Sequence, residues 1–191
     1  MKEALDPDLV SIVDRAKAGD EAAFSMIYAY FADPLFRYLY ARCGDIELAE
    51  HLTGDLWVRV VEKLPMFRFP TDGPDAAFAA WLYRIARNLL IDTYRRHSNA
   101  PLPLHETISA TDAPLDERVM VHETRQELNH AMDQLTPEQR EVLLLRFGEN
   151  YKHAQVADVM GRSEGAVRLL QHRALAALAR ILGHAHGENE G

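Results

Sequence analysis

The residues best placed to do chemistry lie near the end of the chain. Between Lys152 and Arg180 the sequence KHAQVADVMGRSEGAVRLLQHRALAALAR runs on a helical period. Val167, Leu170, Ala174 and Ile181 share one face, which leaves Arg168, Gln171, His172 and Leu175 on the other. Arginine carries paired donors that match the acceptor edge of guanine, and glutamine a donor and an acceptor that match adenine, so such a face suits a helix laid in a DNA major groove. Gly161-Arg162-Ser163 interrupts the pattern. Glycine adopts the positive φ of a tight turn, and Ser163 is a good cap for the helix that follows. Ala157 is small where two helices must cross closely, and Val167 points inward to lock the second helix. The reading is a helix-turn-helix. A plain helical hairpin with a solvated arginine face has the same pattern, so the motif alone does not decide between them.

Charge distribution narrows the choice. The chain has 191 residues and a formal net charge of -8, which disfavours indiscriminate binding to phosphates. Against that background stand two basic islands. One runs from Gly161 to Arg180, where Arg162, Arg168, Arg173 and Arg180 face only Glu164. The other runs from Trp81 to His97 and holds Arg84, Arg87, Arg95 and Arg96 against Asp92 alone. There Phe78, Trp81, Leu82, Ile85 and Leu89 form the apolar face of a helix, and Arg84, Arg87, Asn88 and Arg95 fall on a stripe opposite it. From Asp45 to Lys63 the balance reverses: Asp45, Glu47, Glu50, Asp55 and Glu62 outnumber Arg59 and Lys63. An acidic helix suits a protein partner better than DNA.

The elements that must position these residues are all helical. No stretch alternates as a strand would, so the expected fold class is all-α: two small helical domains joined by a flexible linker, the C-terminal one a helix-turn-helix domain. Asp6-Pro7 reads as a helix start and Gly19-Asp20 as a break. The next helix has Phe24, Ile27, Tyr28, Phe31 and Leu35 on one face and a kink expected at Pro34. Asp45 caps a helix with Ala49, Leu52, Leu56 and Val60 inward, ending before Pro65, and a loop follows from Phe69 to Asp75. The segment SNAPLPLHETISATDAPLD, Ser98 to Asp116, is rich in proline and small polar residues. The domains are therefore drawn at residues 1–97 and 121–191, with 98–120 between them. In the second domain Leu128, Ala131, Met132 and Leu135 mark a helix. Thr136-Pro137-Glu138-Gln139 then supplies a capping box for a helix running to Phe147 and stopping at Gly148.

Other chemistries find no support. The first residues lack a basic and then apolar leader, and charge interrupts every apolar run, so a cytoplasmic protein without membrane contact of its own is expected. Cys43 has no second cysteine to bond and reads as a small buried apolar residue. His184-Ala185-His186, His51 with Asp55, and His122 with Glu123 each lack the remaining ligands of a metal site. Trp57 and Trp81 read as core rather than stacking platforms, and a partly exposed Trp81 could serve as both. There is no phosphate-cradling glycine loop, HExxH pair or nucleophile elbow, so no catalytic residue, metal or cofactor is expected.

Two segments taken together resemble the extracytoplasmic-function (ECF) group of bacterial sigma-70 factors. LTPEQREVLLLRFGENYKHAQVADVMGRSEGAVRLLQHRAL is similar to the family's fourth domain nearly end to end, and FAAWLYRIARNLLIDTYRRH to the end of its second. AEHLTGDLWVRVVEKL resembles the helix that docks on the clamp helices of the polymerase's largest subunit, and the likeness spans roughly residues 20–182. The resemblance implies an alternative sigma factor that binds core RNA polymerase, directs promoter-specific initiation and is held by an anti-sigma factor. By the same carry-over Arg168, Leu169, Gln171, His172 and Arg173 meet the minus-thirty-five element, and Arg84, Arg87, Asn88 and Arg95 the minus-ten element. Asp55, Arg59 and His51 dock on core polymerase, and the Phe69 to Phe78 loop captures an unstacked base. Leu169 and Leu170 stand where a Ser-Arg pair is common, Gln171 where an apolar residue is usual, and His51 and Gly54 where Asp and Gln are frequent.

The competing reading is a regulator that binds DNA alone through its C-terminal helices and senses a signal with the rest. A sensor has no need of the second basic island at Arg84 to Arg96, whereas a protein touching a promoter at two places does. A helical metal-dependent hydrolase, the third reading, lacks every motif named above.

Overall fold

The computed structural model describes residues 9–70, 74–97 and 127–187. Asp6-Pro7, the linker and the His122-Glu123 pair lie outside the described residues, as do the side chains of His184 and His186. The chain divides into two compact units, Met1–Pro103 with Ala157–Gly161, and Leu104–Val156 with Arg162–Gly191. Every regular element among the described residues is helical.

The N-terminal unit contains α1 (Leu9–Lys17), α2 (Glu21–Cys43), α3 (Ile46–Lys63), a short 3-10 turn (Leu64–Met66) and α4 (Pro74–His97). Turn chemistry fixes each break. Gly19 takes φ +91°, and the Asp20 carboxylate accepts the otherwise unpaired N–H groups of Ala22 and Ala23 at 3.0 and 3.1 Å. Gly44 ends α2 in the left-handed region at φ +71°, with its N–H on the Tyr40 carbonyl at 2.7 Å. One residue later Asp45 accepts from the Leu48 N–H at 3.0 Å and starts α3.

Pro34 does not end α2. A proline there removes the hydrogen bond to the Tyr30 carbonyl, but Phe31, Pro34, Leu35 and Tyr38 are all buried, so packing on both sides carries the helix through. The buried face also turns slightly from the expected one: Ala23, Ile27, Phe31, Leu35 and Leu39 are inside, while Tyr28 is 47% exposed and leans on Trp57 at 4.8 Å. Helix α4 is packed by α1, α2 and α3, which explains why it buries more than a stripe. Besides Phe78, Leu82, Ile85 and Leu89, it sinks Tyr83, Ala86 and Leu90. Phe78 is the hub of an aromatic cluster, with Phe31, Phe67 and Trp81 at centroid distances of 5.8, 5.2 and 5.6 Å.

Further along the chain, residues 127–133 form α5, followed by α6 (Pro137–Leu143), α7 (His153–Met160, whose residues from Ala157 on count with the first unit) and α8 (Glu164–Gly187). The capping box forms as the sequence requires: the Gln139 N–H donates to Thr136 Oγ1, and the Thr136 N–H to Gln139 Oε1 at 3.1 Å. Helix α6 packs on α8, and Val142 and Leu143 of the one and Val167 of the other are buried. The helix starting at Thr136 does stop at Gly148, but not as α-helix, because Leu144–Gly148 winds as a π-turn. Leu128, expected inside, is 43% exposed, whereas Ala131 and Leu135 are buried.

Candidate nucleic-acid interface

The turn between α7 and α8 is built as expected. Gly161 has φ +65°, and Ser163 Oγ accepts from the Ala166 N–H at 3.3 Å, capping α8. Val167 and Ala174 are fully buried, Leu170 and Ile181 half-buried, which turns Arg168, Leu169, His172, Arg173 and Leu175 outward. Leu169 is 51% exposed, an apolar group in the middle of a polar face and of a size to meet a thymine methyl. Arg168 is held by Glu164, one turn before it, at 3.1 Å. Arg162 in the turn pairs with Glu138 at the start of α6.

Gln171 departs from the expected face. It is half-buried, and its amide oxygen accepts from Arg146 Nε at 3.0 Å and lies 2.9 Å from His153 Nε2. Periodicity put it beside Arg168 and His172. A position on the flank of a helix can serve either side, and here the π-turn brings Arg146 up to claim it.

In the N-terminal unit the stripe on α4 is real but uneven. Arg84, Asn88 and Arg95 are exposed, while Arg87 is half-buried. Asp92, the acid within this island, is drawn off by Arg59 of α3 at 3.8 Å. Beside the stripe lies an aromatic wall: Trp81 is half-buried against Phe67 at 4.9 Å, and Phe69 packs on Phe67 at 4.9 Å. The Lys17 ammonium stands over the Phe67 and Phe69 rings at 5.7 and 5.5 Å. Residues 71–73 of the expected base-capturing loop lie outside the described residues.

The outward face of α3 repeats every three or four residues as Glu47, Glu50 and His51, Gly54 and Asp55, Val58, then Val61 and Glu62, all exposed. His51 Nε2 lies 3.7 Å from Asp55 Oδ2. Arg59, expected on this face, instead leans toward α4 and its Asp92. Sequence reasoning missed Val58 and Val61, which are 59% and 55% exposed, together with Met66 at 71%. For Val58 and Val61 the signal was available: they fall on the acid-bearing side of the α3 wheel, where an apolar residue has no core to enter; Met66 lies beyond α3, in the 3-10 turn.

Among the described residues no three His, Cys, Asp or Glu side chains come together as a metal site would require. The Cys43 thiol is buried, donates to the Asp45 carbonyl at 3.3 Å and is pushed up in pKa by that burial. Trp57 is 7% exposed and belongs to the core.

Comparison with known proteins identifies two matched regions. The sigma-70 region 2 family matches residues 27–100, and the sigma-70 region 4 family matches residues 131–180. The chain is 34% identical over 187 residues to the ECF RNA polymerase sigma factor BldN of Streptomyces coelicolor, covering 95% of this chain and 69% of that one. It is 29% identical over 167 residues to the ECF RNA polymerase sigma factor SigX of Bacillus subtilis, covering 84% of each. In fold it is similar to CnrH, solved in complex with the cytosolic domain of CnrY, with a TM-score of 0.69 at 23% identity over 94% of this chain and 99% of that one. The two matched regions, the likeness to BldN along nearly the whole chain and the helix-turn-helix at its end make this protein a member of the ECF group of RNA polymerase sigma factors.

Proposed function

We propose that this sigma factor docks on core RNA polymerase through the outward face of α3 and holds a promoter at two places. The exposed side chains Arg84, Asn88 and Arg95, with Arg87 at the edge, meet the minus-ten element. Arg168, Leu169, His172 and Arg173 meet the minus-thirty-five element. The observation that carries this reading is the pairing of an outward basic face in each matched region with a separate, acid-bearing face on α3. Two DNA contacts fix a spacing, and a face of opposite character leaves polymerase a surface that phosphates avoid.

On this reading residues 1–97 form the polymerase-docking domain, 98–120 the linker and 121–191 the minus-thirty-five domain. Docking rests on His51 and Asp55 with Val58 and Val61, and Arg59 braces α3 against α4. The chemistry of RNA synthesis belongs to the polymerase, and the protein works where polymerase is, in the cytoplasm. No described helix is long and apolar enough to cross a membrane. Regulation by an anti-sigma partner follows from the exposed apolar groups on α3, which must be covered when polymerase is absent. The likeness to CnrH, solved with CnrY, is consistent with such a partner in fold alone.

The test is transcription by purified core polymerase on randomised promoters, with and without the protein, and sequencing of the transcripts. New starts behind a shared two-part motif are expected. Duplex binding by the protein alone without new starts would favour the stand-alone regulator.

A further inference from the structure

Gln171 sits in the middle of the helix proposed to read the minus-thirty-five element, yet its amide is turned to its own domain. Arg146 Nε is 3.0 Å from Gln171 Oε1, and arginine can only donate, so the atom facing it is the oxygen. The same oxygen lies 2.9 Å from His153 Nε2, which must then carry a hydrogen. Arg146 also donates through Nη1 to the Tyr151 carbonyl. One amide oxygen thus ties together the π-turn, the entry to α7 and the middle of α8. All three side chains are half-buried. The surroundings are shaped for the purpose: Tyr151 N–H reaches back to the Leu145 carbonyl at 2.9 Å, Glu149 N–H to Leu144 at 3.0 Å, and Asn150 takes φ +56°.

We propose that Arg146, His153 and Gln171 form a polar staple that sets the rotation of α8, making Arg146 and His153 positioning residues for promoter recognition and removing Gln171 from the base-reading set. This rests on α8 being the recognition helix. Neighbouring positions show why rotation matters. Arg168 and His172 flank Gln171 on the outward side, so a turn of α8 about its axis moves both relative to the base edges they would meet. Among the described residues of α8 only Val167 and Ala174 are fully buried, while Leu170, Leu178, Ile181 and Leu182 are half-buried, so the apolar contacts that oppose rotation come from small or partly exposed groups. Directional hydrogen bonds supply what those contacts lack.

The experiment uses holoenzyme reconstituted from core polymerase and full-length chain. It compares open-complex formation on a promoter with its selected minus-thirty-five element against one with that element scrambled. His153→Ala and Gln171→Met should each lower this preference about 3- to 10-fold, the scale of one part-buried hydrogen bond. The double variant should be no worse than Gln171→Met alone, because that substitution already removes the His153 contact. Selection of preferred sequences should show the loss spread over the whole element. Helix content and melting of the free chain are measured alongside, and Gln171→Glu, which keeps an acceptor toward both donors, should restore most of the preference. Additive losses, an altered preference at one base pair in Gln171→Met alone, or no change in either variant would overturn the staple. Arg168→Ala separates the two readings: an unchanged preference there would remove α8 as the recognition helix, whatever the staple does.

Discussion

The two units solve the same problem, holding a helix with one basic face, by different means. In the N-terminal unit α4 is gripped by three other helices and by a cluster of aromatic rings around Phe78, so its orientation follows from apolar packing. The helix α8 of the second unit has a thin apolar seam, and its position depends on caps, a glycine turn and side-chain hydrogen bonds from Arg146, His153, Glu138 and Ser163. Packing tolerates sequence change so long as volume is kept, whereas directional fasteners fail one residue at a time. The second unit is therefore the part in which single polar substitutions should alter behaviour most.

The sharpest way to break this contrast is to attack the hub. Phe78→Ala should cost about 3–5 kcal/mol, since it leaves a cavity among four rings. Both tryptophans, Trp57 and Trp81, lie in the N-terminal unit, so denaturant unfolding followed by tryptophan fluorescence reports on that unit directly. A loss below about 1 kcal/mol would mean the cluster is not what holds α4. Next in size, Thr136→Ala should cost about 1 kcal/mol by opening the capping box, read as faster hydrogen exchange of the α6 amides with unchanged tryptophan fluorescence. Gly54→Ala acts in the other direction. A Cβ there meets nothing within 4 Å, so α3 should gain roughly 0.5–1 kcal/mol. Loss of stability would show that the outward face of α3 is already covered by some contact.

The smallest effect concerns acid. The Asp20 carboxyl is held below its ordinary value of 3.8, first by the Ala23 N–H and next by Arg15. A lowered folded value means that its stabilising effect is complete above the unfolded pKa and fades as pH falls through the folded one. Asp20→Asn keeps a neutral cap, so its melting temperature should fall slightly below wild type at neutral pH, with the difference closing and the acid side of the curve flattening as pH falls.

Much of this was legible beforehand, and the reasons are local. The Asp45 and Thr136 caps, the breaks at Gly19-Asp20 and Gly161 and the inward sets on α3 and α4 follow from short-range rules that need no partner. Tertiary choices were not legible. Gln171 and Arg59 stand at the edges of their faces, where periodicity is ambiguous, and each is claimed by a residue distant in sequence, Arg146 and Asp92. The π-turn at Leu144–Gly148 has no sequence signature of its own, yet it supplies Arg146. Val58 and Val61 were visible but passed over, because an acidic face draws attention to its charges.

The corner between α2 and α3 has a mechanical consequence. Tyr94, near the end of α4, donates its hydroxyl to the Arg42 carbonyl at 3.0 Å, at the end of α2 and within four residues of the start of α3. The Arg59–Asp92 pair ties α3 itself to α4. Two ties and a shared core turn these helices into a bracket. A load applied to the outer side of α3 is then transmitted to α4 without a hinge between them, so a partner that grips one helix also aims the other.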